Sequence, residues 1–162
     1  MKYLRLSVVV AVCVLASLVW IGLRPQKAAA DPLGNSIAAS YLTTITDATT
    51  GAFSSRSVIT LHNDHTLAAV DSTQSGTDIA FTSQHGAWNH AGNGSLEATT
   101  IDFTLPNAGV DRVDYVFDPD PVQGEVKGTI TLTVFPINGN PFGGGGIVVG
   151  TFKFTGQRIT TP

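Results

Sequence analysis

Four histidines and a scatter of aspartates are the residues of this chain with chemistry to offer. His62 and His65 flank a turn with Asp64 between them, and His85 and His90 bracket a Gly86-Ala87-Trp88 strand. Imidazoles and carboxylates together make zinc ligands, but these intervals are not those of a zinc site. Histidines beside turns are as a rule solvated, so no metal is expected. Asp118 and Asp120 offer oxygens to calcium, yet calcium takes six to eight ligands and the Asp118-Pro-Asp-Pro121 segment supplies few. Covalent catalysis has no foothold. The sequence contains no Gly-x-Ser-x-Gly elbow, its only cysteine is Cys13, and no Gly-rich phosphate loop follows a strand and opens a helix. No cofactor motif is present, and none is expected.

Acid–base chemistry needs only a carboxyl group in a shielded place, where burial raises its pKa. Asp102 and Asp114 are the candidates, and side-chain alternation decides which way each points. If Asp102 faces inward, so do Leu96, Ala98 and Thr100; the opposite set, Ile101, Phe103 and Leu105, is the more apolar. Asp102 is therefore expected outside. Asp114 opposes Val113, Tyr115 and Phe117 and is expected outside as well.

The elements that hold these residues are strands. From Ile37 onward β-branched and aromatic residues alternate with Thr and Ser, and no segment shows a 3.6-residue apolar period. Eight strands are predicted, at about 37–46, 56–62, 66–72, 84–90, 95–105, 111–118, 124–136 and 148–160. Gly92-Asn93-Gly94 makes a tight hairpin turn, since Gly and Asn adopt positive φ cheaply. Asp47–Gly51 and Asn63-Asp64 are further turns, and prolines end the strands before Pro106 and Pro119. Pro136–Gly146 is the longest loop and is expected to be mobile. Short connections imply antiparallel neighbours, and closure into an up-and-down barrel removes the exposed edges. The expected fold is thus an all-β, eight-stranded antiparallel barrel over 37–162, with an interior just filled by side chains or holding one small ligand. In the seventh strand Val126, Ile130, Leu132 and Val134 share one face; Lys127, Thr129, Thr131 and Thr133 share the other. In the last, Phe152 and Phe154 oppose Thr151, Lys153 and Thr155. One apolar and one Thr-rich face suit a barrel wall.

The first 30 residues are read as a signal peptide. Lys2 and Arg5 precede an uncharged run from Leu6 to Leu23, and Ala28-Ala29-Ala30 is a cleavage site. An uncleaved membrane anchor is the alternative, because that run of 18 residues approaches the ~20 that span a bilayer. Cys13 is no lipidation site, since apolar sequence continues for ten residues beyond it. Residues 31–36 form a short linker containing Pro32 and Gly34. Cleavage after Ala30 leaves five basic against twelve acidic residues, a net charge of −7 and no cysteine. Such a domain is secreted or periplasmic, holds together without disulfides, and is a poor binder of nucleic acid or anionic membrane. About 130 residues bury roughly two thirds of their unfolded surface, enough for a core.

The Gly86-x-Trp88 motif, the strand meander and the near-terminal Arg158 resemble the calycin superfamily, the lipocalins and lipocalin-like bacterial proteins. The resemblance implies that Trp88 and Arg158 pack together and close one end of the barrel. Trp88 departs from the family by place, lying on the fourth predicted strand rather than the first, and the family's cysteines are missing. Trp88 either lines a cavity or plugs the barrel end with its N–H bonded to backbone. The plug is preferred, because Gly86 signals close backbone packing. The expected function is the binding of a small hydrophobic ligand by Trp88, Tyr115, Phe117, Ile130, Leu132, Phe152 and Phe154. The alternatives are a cyclase or isomerase working in the lumen, which an inward carboxylate or His of shifted pKa would mark, and a filled barrel serving as a cell-surface module.

Overall fold

Turn chemistry sets the strand boundaries. At the first hairpin the Asp47 carboxylate accepts from the Thr49 and Thr50 amides at 2.9 and 2.7 Å, and Gly51 completes the reversal at φ +71°. Gly92, Asn93 and Gly94 all take positive φ (89°, 52° and 81°), as the tight hairpin requires. The computed structural model describes residues 37–76, 80–106 and 108–161. The expected signal peptide and linker at 1–36 lie outside them.

Nine strands follow: β1 (Ser40–Asp47), β2 (Phe53–Leu61), β3 (Thr66–Asp71), β4 (Ala80–Phe81), β5 (Gln84–Gly92), β6 (Ser95–Leu105), β7 (Gly109–Asp120), β8 (Glu125–Pro136) and β9 (Ile147–Arg158). Eight of them match the eight predicted from sequence. The two-residue β4 is additional, and it pairs with the end of β6 that β5 leaves uncovered (Ala80 opposite Leu105). The eight long strands pair antiparallel in chain order, and β9 returns to β1 with Thr43 opposite Gly156 and Ile45 opposite Phe154. That pairing closes the sheet into an eight-stranded antiparallel β-barrel with no open edge among the long strands.

Alternation then sorts the side chains. β8 turns Val126, Ile130 and Leu132 inward, and β9 turns Phe152 and Phe154 inward, as their sequence pattern requires. One half of the lumen is solid. Trp88, Tyr41, Leu61, Leu67, Leu96 and Phe117 are each at most 2 % exposed and pack as one core with Phe154. The Phe117 and Phe154 rings meet edge-on, with centroids 5.2 Å apart. Phe154 has room because its cross-strand partner is Gly128, where a Cβ would lie 1.9 Å from the Val116 carbonyl oxygen and 2.8 Å from the Phe154 ring. A side chain at 128 is therefore excluded.

The loop between β8 and β9, expected to be mobile, folds back on the outer wall. Arg112 donates from Nη1 to the Pro141 carbonyl at 2.8 Å and lies over the Phe135 ring at 5.6 Å. Phe135, though on the outer face, is only 4 % exposed beneath this cover.

Candidate functional site

The other half of the lumen is not filled. A cavity of about 150 Å³ opens at the barrel end formed by the last residues of β1, β3 and β6 and the first residues of β2, β5, β7 and β9. Ile45, Val113, Ile130, Leu132, Phe152 and Phe81 give it apolar walls. Ser55, Asp71, Gln84, Asp102, Asp111 and Tyr115 give it a polar side.

Asp102 sits inside, 2 % exposed, and the expectation that it faces outward is corrected. The register explains why. Trp88 opposes Ala98 and Leu96 opposes Phe117, so the solid half of the core fixes the parity of β6. A one-residue slip to bury Ile101 and Phe103 would expel Leu96 and Ala98 from that core. The apolar set stays outside, with Phe103 and Leu105 about half exposed. Asp114 lies on the outer face as expected, accepting from the Thr99 hydroxyl at 2.7 Å and from Arg112 Nε at 2.8 Å.

Asp102 faces Asp111 across the β6–β7 ladder, and Asp111 is 7 % exposed. Asp111 was not among the acids expected to matter. It shares parity with Val113, Tyr115 and Phe117, which was the legible signal for an inward acid. Two mutually facing buried carboxyls cannot both ionise freely. Burial first, and then the charge and hydrogen bonding of Asp111, push the Asp102 pKa up to about 7. Gln84 is the opposing influence: its oxygen accepts from the Tyr115 hydroxyl and from Thr100 Oγ1, at 2.5 and 3.1 Å, while its side chain hydrogen-bonds the Asp102 carboxyl. Thr104 donates its hydroxyl to Asp111 Oδ2. Asp71 is satisfied by the Ser55 and Thr73 hydroxyls and the Thr73 amide. Oδ1 of Asp102 and Oδ1 of Asp111 are buried and accept no hydrogen bond. Tyr115, deeply buried, has its phenol pKa raised, chiefly by desolvation.

Of the seven residues expected to bind ligand, Tyr115, Ile130, Leu132 and Phe152 line this cavity. Trp88, Phe117 and Phe154 belong to the solid half. Trp88 is 1 % exposed and donates Nε1–H to the His62 carbonyl at 3.1 Å, the geometry of a plug. Its ring stacks on His65 at 4.4 Å and meets His90 edge-on at 5.6 Å. Arg158, expected against Trp88, pairs across the β1–β9 ladder with Tyr41. Asp118 forms an ion pair with Lys127 at 3.1 Å, and Asp120 caps the Val122 and Gln123 amides, so both act as turn and surface acids. Among the described residues, no three His, Cys, Asp or Glu side chains gather as a metal site. No described helix is long and apolar enough to cross a membrane.

No protein-family model matches the sequence, and neither a curated protein nor a solved structure shows significant similarity to it.

Proposed function

We propose that this barrel is a binding protein that holds one small molecule in the open half of its lumen. One observation carries the reading. The barrel is packed solid at one end and keeps a cavity of about 150 Å³ at the other, apolar on one side and polar on the opposite side. Drug-sized ligands occupy about 300–1,000 Å³, whereas a cavity near 150 Å³ takes a molecule the size of benzene. The ligand is therefore smaller than a fatty acid or a polycyclic hydrophobe. Its apolar body lies against Phe152, Leu132 and Ile130, and a polar end reaches Asp102 and Asp111. Secretion from its host, lipocalin-like kinship and the binding role itself belong to the same proposal.

The test is a native mass spectrum of the protein purified from the medium of its own host, beside that of Leu132→Trp, whose indole fills the cavity. A reproducible extra mass lost on denaturation, and lost in the variant, is expected. Bare masses for both proteins would overturn the reading.

One observation favours a second reading, a lumen isomerase or cyclase. A buried carboxyl with a pKa near 7 is tuned to take and return protons at neutral pH. A ligand recovered from the lumen chemically unchanged after incubation marks binding; a rearranged one marks catalysis.

A further inference from the structure

Among the described residues, the polar side of the cavity is acidic and carries no counter-charge. Asp71, Asp102 and Asp111 line it from β3, β6 and β7, and no described Lys, Arg or His lines it with them. The cations of the described barrel are engaged or placed elsewhere. Arg112 holds Asp114 and the Pro141 carbonyl on the outer face, and Lys127 holds Asp118. Arg158 lies opposite Tyr41, at the solid end. Arg56 and Lys153 alternate with inward-facing neighbours and so lie on the outer wall.

Buried carboxylates elsewhere in proteins are paired or saturated with donors. Here Asp71 meets that rule through Ser55 and Thr73, whereas Asp102 and Asp111 meet it only in part: Gln84 and Asp111 reach Asp102 and Thr104 reaches Asp111, but one oxygen of each has no donor. Two side chains that are each more than nine-tenths buried line the same cavity, and each keeps one oxygen that accepts no hydrogen bond.

Resting on the binding function proposed above, we infer that the ligand is a small primary amine, bound as its ammonium ion between Asp102 and Asp111 with its hydrocarbon end against Phe152 and Leu132. An ammonium has three donors and no acceptor, so one group satisfies both bare oxygens and supplies the missing charge. An alcohol brings one donor and no charge. A carboxylate brings like charge to three aspartates, and a quaternary ammonium brings charge without donors. The cavity volume limits the amine to about six to eight non-hydrogen atoms.

Amine binding depends on pH. The groups facing the Asp102–Asp111 pair are Asp71 from β3, Gln84 from β5, Ser55 from β2 and Tyr115 from β7, and of these only Asp71 is a carboxyl group. In the empty barrel the Asp102 proton leaves at a pH near 7. An arriving ammonium displaces it, so binding releases a proton at pH 6, and affinity rises between pH 6 and pH 8.

Calorimetric titration of the full chain with 3-methylbutylamine, 3-methyl-1-butanol and 4-methylpentanoate separates the possibilities. The amine should bind at least tenfold more tightly than the alcohol at pH 8, and the carboxylate should not bind. The amine's advantage should shrink several-fold at pH 6, where proton uptake by buffers of different ionisation enthalpy is read directly. Asp111→Asn, with its fold checked by circular dichroism, should weaken the amine at least tenfold and the alcohol by a smaller factor. Equal affinities for amine and alcohol in the unmodified protein would overturn the amine inference and leave the binding function standing. Binding of none of the three would overturn both.

Discussion

Asp102 is a buried carboxyl on the wall of the lumen cavity. Its folded-state pKa of about 7 lies above the ordinary carboxylate value, so the native protein holds a proton that the unfolded chain has already lost. Its contribution to stability is therefore full at low pH and declines as pH rises from about 4 to 7, with a slope near 1.4 kcal/mol per pH unit. Asp102→Asn keeps the shape and removes the titration. Denaturant unfolding at pH 4, 6 and 8 should show the variant gaining on the natural protein as pH rises, by a few kcal/mol at pH 8. A constant difference across that range would mean that Asp102 is ionised in the folded state throughout. Residue types alone did not reveal this position. Locally, Ile101, Phe103 and Leu105 outweigh Leu96, Ala98 and Thr100 as an apolar set, and the sequence offers no sign that the solid core prefers the second set. That choice depends on pairings with Trp88 and Phe117, remote in the chain.

At the scale of elements, β9 shows the two uses of the lumen side by side. Phe154 is 2 % exposed against Tyr115 and Phe117, whereas Phe152 lies two residues away on the cavity wall. Phe154→Ala should cost about 3–5 kcal/mol of stability, the range for a core phenylalanine. Phe152→Ala should cost less, because the space it leaves joins an existing cavity, and should change which ligands fit. Urea unfolding of both variants, with ligand affinity measured for Phe152→Ala, checks the pair. Equal losses would mean that the lumen is filled from end to end. The strands themselves were legible. Period-two alternation placed eight of the nine, and Gly92-Asn93-Gly94 announced its hairpin. The fate of the β8–β9 loop was not legible, because Arg112 and Phe135, which hold it to the wall, sit on other elements and read as ordinary outer-face residues.

At the largest scale, the described residues form a barrel with one packed end and one end that keeps a cavity. Closure between β1 and β9 makes the two ends different rooms of one lumen: aromatic rings fill the first, and three aspartates on an apolar wall frame the second. From sequence, the closed barrel and its apolar interior followed from alternation and short connections. Which half stays open did not follow, because it depends on where glycines such as Gly128 let rings from the opposite strand fold over. The most direct measurement is a methyl carbon–proton NMR titration of the labelled protein with 3-methylbutylamine. The methyl signals of Val113, Ile130 and Leu132, on the cavity wall, should move together and saturate. Those of Leu61, Leu67 and Leu96, in the solid half, should stay in place. No movement at the cavity wall, or movement confined to outward methyls such as those of Val148 and Val149, would contradict a binding site in the lumen.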